Sequence, residues 1–521
     1  MAEFAEDELI FLPLGGSGEI GMNMNLYGFA GQWLLVDLGV TFADSDVPGV
    51  DLITPDPTFI ADRRDDLAGL IITHAHEDHL GAVAHLWRRL RCPVWATPFA
   101  GNLLRNKLEE AGLLHEVPLH VIEPGQRLQI GPFSIDFVPL THSTLEMNAL
   151  AIRTDAGLVL HTGDWKLDPE PLVGPGSDQE ALRLLGDEGV MAMIGDSTNA
   201  LIEGTSGSEA EVRDKLLEIC ANRRGRVAVT TFASNVARID TVARVAAANG
   251  RHLVLVGRSL WRILAAARDC GYLQHIAPPL TDDEGGYLPP DKVMFLCTGC
   301  QGEPRAALAR IAAGDHRHVV FEKGDLVIFS SRVIPGNETA IGRVQNRLLW
   351  NGVEVIGEEE GGIHVSGHPC RDELAEMYRL VRPKIAVPVH GEYKHMLAHA
   401  ELARSMQVPE AMVIENGQAL RLEPGGTEVV AEVQSGRCFV DGSVVVPADD
   451  DGIRMRRKLS FSGGGAVILV ANQDGELLAD PELILQGLAT DNGLTSLAEE
   501  GARAVESAVN NLTRLARRDD V

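Results

Sequence analysis

Short apolar runs alternate with stretches of helical period along most of the chain. Runs at 9–14, 33–36, 69–73, 133–139, 158–160 and 190–194 are rich in branched and aromatic residues, which predicts strands. Between them, 80–90, 99–111 and 178–187 repeat apolar residues at three- and four-residue intervals, which predicts helices. Thr154-Asp155-Ala156-Gly157 joins runs at 150–153 and 158–160 as a hairpin turn, so the first sheets are expected to be mixed rather than purely parallel. From 208 to about 357 the alternation is stricter. Strands at 227–231, 253–256, 292–296 and 326–330 are each followed by a helix, at 235–248, 260–267, 304–312 and 338–349. That is a doubly wound α/β unit in its own right. The rhythm continues to about 422, where Glu423-Pro-Gly-Gly-Thr breaks it. The tail reads as a small module of strands with a turn at Asp474-Gly475, then a helix from 496 to 517.

A chain of 521 residues has room for two to four domains. Its 45% hydrophobic content is enough to offset the entropy of ordering, which excludes disorder as the main state. No apolar run approaches the length of a membrane span, and the acidic start, MAEFAEDELI, lacks the pattern of a secretory leader. Seven scattered cysteines predict reduced thiols and a cytoplasmic setting. The formal charge of −28 argues against a surface that attracts nucleic acid everywhere. Between 222 and 268, however, nine arginines face a single acid, Asp240, a local net of +8. We read that stretch as a phosphate-facing surface rather than solvated helix faces, with Arg223, Arg224, Arg238 and Arg258 as its candidates.

The segment with the clearest chemistry is Gly69-Leu-Ile-Ile-Thr-His74-Ala-His76-Glu-Asp78-His79. An apolar strand delivers three histidines and an aspartate within six residues, just before a helix. At such an exit His74 and His76 can point together while Asp78 and His79 turn to a second position. Imidazole and carboxylate are the ligand types of zinc and manganese. Further donors stand where other apolar runs end: His142, His161, Asp164 and His390. Asp164, after Thr162-Gly163, is placed to bridge two metals. His161 lies inside its strand and reads as supporting, and Asp37, ending the 33–36 run, as the carboxylate that orients a ligand histidine.

His74-x-His76-x-Asp78-His79, then His142, then Asp164, resembles the metallo-β-lactamase fold and its dinuclear hydrolases. Asp196 in Gly195-Asp-Ser-Thr-Asn, His368 in His364-Val-Ser-Gly-His368, and His390 narrow the resemblance to the β-CASP nucleases, and within them to the ribonuclease J family. Supporting stretches are residues 13–21, 231–236, 297–303 and 335–338. The resemblance implies a four-layer αβ/βα sandwich with an inserted doubly wound β-CASP domain and a small α/β C-terminal module. The segments would be 1–207, first part of the lactamase domain; 208–357, β-CASP; 358–435, second part of the lactamase domain; and 436–521, a linker and a tail domain expected to be truncated. It implies two divalent metals, zinc above manganese or magnesium. His74, His76 and His142 would hold one, Asp78, His79 and His390 the other, with Asp164 between them. His368 would act as general acid or transition-state stabiliser, Asp196 would orient it, and Asp78 would also count as catalytic. Ala233, Ser234, Asn235, His364, Val365, Ser366, Gly367 and His368 would contact the substrate. The Pro369–Arg371 helix start is expected to lend free N–H groups to a 5′-phosphate.

The expected activity is 5′-to-3′ exonuclease and endonuclease action on single-stranded RNA with a preference for 5′-monophosphate ends, in RNA maturation, including ribosomal RNA, and decay. A homodimer or homotetramer, a place in an RNA-decay complex, and no membrane partner go with it. Three rivals carry less. A DNA-directed β-CASP nuclease tends to have Val where His390 stands; a non-catalytic RNA-binding scaffold with a structural metal needs no paired ligand set; a hydrolase of small esters needs no large basic insertion. Among weaker signals, Gly15-Gly16-Ser17-Gly18 reads as a turn packed under the metals. Cys297-x-x-Cys300 lacks a second pair for zinc, and Asp44, Asp46 and Asp51 read as solvated loop acids.

Overall fold

The computed structural model describes residues 4–43, 47–123, 125–473, 476–488 and 494–512. Asp44 and Asp46, the turn at Asp474-Gly475 and the expected helix end beyond 512 lie outside the described residues.

The early apolar runs pair into two large mixed sheets. One has eight strands in the order 428–432, 418–421, 10–15, 24–29, 32–36, 67–71, 94–96, 119–121. The other has seven, in the order 127–130, 133–139, 148–154, 157–161, 190–196, 385–389, 410–411. The hairpin forms with Thr154 opposite Gly157, while Val190–Asp196 runs parallel to both its neighbours, so the second sheet is mixed. Alternation of side chains along strands puts Phe11, Leu34, Val36 and Ile71 of one sheet against Ile152, Val159, Ile194 and Val387 of the other. Each such side chain, fully buried, stabilises the fold by roughly 1.5–3 kcal/mol. The outer face of the seven-stranded sheet is covered by helices Gln179–Glu188, Arg371–Val381 and Tyr393–Ser405, through Leu182, Leu374, Met377 and Ala403. Helices Val83–Leu90 and Pro98–Glu110 accompany the first sheet. The result is the helix–sheet–sheet–helix sandwich expected.

The stricter alternation becomes a five-stranded, all-parallel sheet in the order 252–256, 293–297, 227–230, 326–329, 354–356. Its three central strands are buried on both faces, as the continuous apolar runs require. The chain enters it past Ser208 and leaves near Ile363. A buried ion pair stands at that crossing: Arg238 Nη2 lies 3.1 Å from Glu209 Oε2, and Arg238 also donates to the Ser330 and Ile363 carbonyls. Arg238 has no exposed surface, which corrects its expected place on a phosphate-facing surface. Sequence charge does not reveal which arginine meets a buried carboxylate. Arg251 is buried too, spent on the carbonyls of Arg223, Gly225, Pro290 and Val293.

A second compact unit contains Phe42–Ile53 together with the chain from Arg437 onwards. Residues 42–53 carry no composition signal that separates them from their neighbours. Within this unit strands Arg437–Asp441 and Val444–Pro447 pair antiparallel, helix Asp451–Ser462 follows, and Gly464–Ile468 pairs with Glu482–Gln486 before helix Leu494–Asn511.

Candidate metal centre

Strand exits from both large sheets converge on one place. Leu67–Ile71 delivers His74, His76, Asp78 and His79; Phe133–Pro139 delivers His142; Gly157–His161 delivers Asp164; Val190–Asp196 ends on Asp196; and Ile385–Val389 delivers His390. Their ligand-type atoms form three groups, each within 4.8 Å: His74, His76, His142 and Asp164; Asp78, His79, Asp164 and His390; Asp164, Asp196 and His368. All three share Asp164.

The hydrogen bonds fix the tautomers. Asp37 Oδ2 accepts from His79 Nδ1 at 2.7 Å, and Thr73, which donates to the same carboxylate, accepts from His74 Nδ1 at 3.0 Å. The Gly367 carbonyl accepts from His142 Nδ1 at 2.6 Å, and Asn23 Oδ1 from His390 Nδ1 at 3.1 Å. With those N–H groups committed outwards, the Nε2 atoms of His74, His142 and His390 are left as lone pairs, while His79 Nε2 donates to Asp164 Oδ2 at 3.0 Å. His76 Nδ1 stands 3.2 Å from His74 Nε2 and 3.0 Å from His142 Nε2. Three imidazole nitrogens so close, with no protons to share, match the spacing of ligands about 2 Å from one tetrahedral cation. Two buried acceptors, Asp164 Oδ1 and His390 Nε2, have no hydrogen-bond partner among the described residues. A donor set of neutral imidazoles and carboxylates with orphaned atoms aimed inwards fits divalent metal.

The titration behaviour follows the same division. Burial, reinforced by neighbouring imidazoles, holds His74 and His142 well below the ordinary histidine value and His76 at about 4. They are neutral, the form in which an imidazole can bind a metal. Burial opposes charge on His79 as well, but Asp164, Asp78 and Asp37 outweigh it and raise its pKa. A cation among these carboxylates would take over that compensating charge. For His368, burial is again outweighed, first by Asp196 at 2.8 Å from Nδ1, and the pKa rises to about 9. Asp196 is itself anchored: Oδ1 accepts from the N–H and hydroxyl of Thr198.

Two non-glycine residues at this edge have left-handed backbone, Asp37 (φ 63°) and His390 (φ 50°). Such strain is retained where surrounding contacts over-determine it. The His390 N–H donates to the Gly16 carbonyl at 2.6 Å, so the glycine-rich turn does pack beneath the centre. A Cβ on Gly367 would stand 2.8 Å from the His142 ring. Glycine here makes room for a histidine rather than for an incoming ligand.

The Ser-Gly-His loop corrects another expectation. The helix begins at Arg371 with Cys370 as N-cap, so Pro369 precedes it. Its first N–H groups are already engaged: Cys370 with Glu373, Arg371 with the Ile202 carbonyl and Asp372 with that of Gly204. The helix start therefore cannot receive an anion. Ser366 offers a different donor. Its Oγ accepts from Asn199 Nδ2 at 2.8 Å and from the His368 N–H at 3.1 Å, which leaves its own proton free to donate. Asn199 in turn accepts from Arg332 Nη1 at 2.8 Å, bringing a guanidinium of the inserted sheet to the same loop.

His364 is half-buried, its Nδ1 is unpartnered among the described residues, and burial holds its pKa at about 3. Val365 is half-buried beside Gly207. Ala233 and Ser234 are half-buried, while Asn235 is buried as N-cap of helix Val236–Ala248, accepting from the Arg238 N–H and donating to Glu209. His161 binds Tyr27 and joins none of the metal groups. Asn23, Asn199 and Arg332 were not foreseen, because amides and a lone arginine carry no ligand pattern. The only available signal for Asn199 was its place in the Asp196-Ser-Thr-Asn run.

Comparison with known proteins agrees with this architecture. Residues 32–176 match the β-lactamase superfamily domain, 224–348 the ribonuclease J β-CASP domain, and 355–412 a domain described as the Zn-dependent metallo-hydrolase RNA specificity domain. The fold is thus a metallo-β-lactamase sandwich with a β-CASP insertion. The chain is 47% identical to ribonuclease J of Sinorhizobium meliloti, over 99% of this chain and 92% of that one. It is 39% identical to ribonuclease J of Mycolicibacterium smegmatis (96% and 90% covered) and 35% identical to that of Synechocystis (96% and 78%). A solved protein of unknown function from Enterococcus faecalis shares the fold, with a TM-score of 0.54 at 15% identity, covering 80% of this chain and 100% of that one.

Proposed function

The chain belongs to the ribonuclease J family, and on that footing we propose that it is a two-metal hydrolase of single-stranded RNA, acting as 5′-to-3′ exonuclease and endonuclease in RNA maturation and decay. The observation that carries this reading is the pair of ligand groups sharing Asp164, with His368 and Asp196 forming a third group on the same carboxylate. His74, His76 and His142 would hold one cation, Asp78, His79 and His390 the other, with Asp164 common to both; the donor set favours zinc. When bound, the cations polarise the phosphoryl oxygens and lower the pKa of water at the site. His368 supplies the proton. Asp196 occupies its Nδ1, so Nε2 is left to donate to the departing 3′ oxygen, and the Asp196 charge keeps the ring protonated at neutral pH. Cations held by Asp78 and Asp164 would take up the charge of those two carboxylates and leave Asp196 as the partner of His368.

Ala233 and Ser234 on one side, and His364 to His368 on the other, would hold the strand, with residues 208–357 closing over a catalytic domain made of 1–207 and 358–435. The preference for a 5′-monophosphate would come from the free Ser366 proton and from Arg332, which Asn199 brings to the same loop. Neither Ser366 nor Gly367 donates its N–H to another described residue, so both are available to the same anion. Among the described residues no helix is long and apolar enough to cross a membrane. The cysteines form no disulfide among the described residues, and the setting this reading goes with is cytoplasmic, with two or four copies associating. The test is turnover of 5′-labelled RNA, followed as mononucleotide release. His76→Ala and Asp164→Ala should abolish release while RNA binding survives, because arginines supply most of the affinity. Undiminished turnover by metal-free Asp164→Ala would overturn the two-metal reading.

A further inference from the structure

Beyond the carboxyl ends of two neighbouring parallel strands, His252–Val256 and Val293–Cys297, lies a cavity of about 630 Å³ that contains none of the metal-centre residues. Four arginines line it, Arg258, Arg262, Arg305 and Arg310, against one carboxylate, Asp282. Arg262 already pairs with Glu110 at 2.7 Å. The other three pair with no carboxylate among the described residues, and all three are exposed. In a chain of charge −28, three unneutralised guanidinium groups around one concavity are an excess that packing alone does not call for. Half-buried Trp261 lies on the same wall. At the floor, Gly257 has φ 139°, and a Cβ there would stand 2.5 Å from Thr298, so the backbone turn is held tight against the second strand's exit.

We propose that this cavity binds a nucleoside di- or triphosphate, with the phosphoryl groups on Arg258, Arg305 and Arg310 and the base against Trp261. Its volume lies within the usual range for small-molecule sites, roughly 300–1,000 Å³. Strand ends of parallel sheets, with a glycine at the turn, are where such folds take phosphorylated ligands. Guanidinium forks match phosphoryl oxygens two at a time. A single phosphate brings about 1.5–2 negative charges, so three arginines without a carboxylate partner, one of which (Arg310) also donates to the Asp315 carbonyl, favour a longer phosphoryl chain.

The experiment is isothermal titration calorimetry of the full chain with ADP, alongside adenosine and inorganic pyrophosphate. The variants are Arg258→Gln/Arg305→Gln, exposed positions whose change leaves the core untouched, and Ser366→Ala as a control for phosphate binding at the metal centre. Saturable ADP binding, at least tenfold weaker in the double variant and unaltered in Ser366→Ala, is expected, with adenosine silent and pyrophosphate weaker than ADP. Absence of saturable binding up to millimolar ADP, or binding that the double variant leaves intact, would overturn the proposal. So would weakened binding of a short single-stranded RNA by the double variant when ADP binds neither protein, which would give these arginines to the RNA strand.

Discussion

Asp37 and His79 are joined by a 2.7 Å hydrogen bond from Nδ1 to Oδ2, and that same carboxylate receives the N–H and hydroxyl of Thr73. One aspartate thus fixes the His79 ring directly and, through the Thr73 hydroxyl, the His74 ring. Outer partners of ligand histidines typically contribute 10–100-fold to metal affinity. Asp37→Asn should therefore weaken metal retention by about that factor. Competitive titration with a chromophoric chelator measures it, and unchanged affinity would mean that packing alone orients the rings.

The Ser366 hydroxyl gives a test that separates end recognition from cleavage. Ser366→Ala removes a donor but no candidate ligand and no part of the His368–Asp196 pair. We expect the preference for 5′-monophosphate over 5′-triphosphate RNA to shrink by roughly tenfold, the worth of one charge-assisted hydrogen bond at about 1.5 kcal/mol. Cleavage of a circular RNA should hardly change. Equal loss on linear and circular substrates would place Ser366 in the cleavage step instead.

For Arg238, burial replaces RNA contact as the expected role. Breaking a buried pair by removing one partner leaves Glu209 uncompensated, at a cost of about 3–5 kcal/mol. Arg238→Met should lower the denaturant midpoint accordingly, while the slope of RNA affinity against salt stays as in the parent protein. A flatter slope with unchanged stability would restore this arginine to the RNA surface.

His399 sets part of the acid limb of stability. It is buried, bonded to Ser197 and to the Tyr378 hydroxyl, and burial lowers its pKa from 6.5 to about 4. In that interval the unfolded chain binds the proton and the folded one does not. This contribution is thus fully present above pH 6.5, falls as the pH drops towards 4, and then levels off, amounting to about 3 kcal/mol. His399→Gln should flatten that limb even if its plateau is lower. Parallel stability–pH curves for the two proteins would rule the histidine out as the source.

What could be read from the sequence depended on whether the signal was local. Strand exits and ligand types coincide within single short segments at His74–His79, His142 and Asp164, so these candidate ligands, which the fold brings together, were legible before it. Asn23 reaches His390 only because distant segments meet at one sheet edge, and its neighbours Met22 and Met24 give no hint of that. The Arg371 helix start looked open because its N–H partners, the carbonyls of Ile202 and Gly204, come from a loop far away in sequence. Likewise Arg238 read as surface charge until Glu209 came to face it.

Strand Ile385–Val389 lies directly beside Val190–Asp196, although the whole five-stranded sheet is encoded between them. During synthesis the chain therefore emerges with most of its candidate ligands early and His368 and His390 late. At about 5–20 residues per second, tens of seconds separate the two. For that interval a nascent chain carries an unfinished centre. A polypeptide still on the ribosome holds neither His368 nor His390 at the site until the inserted sheet has been made and the last strand has found its place.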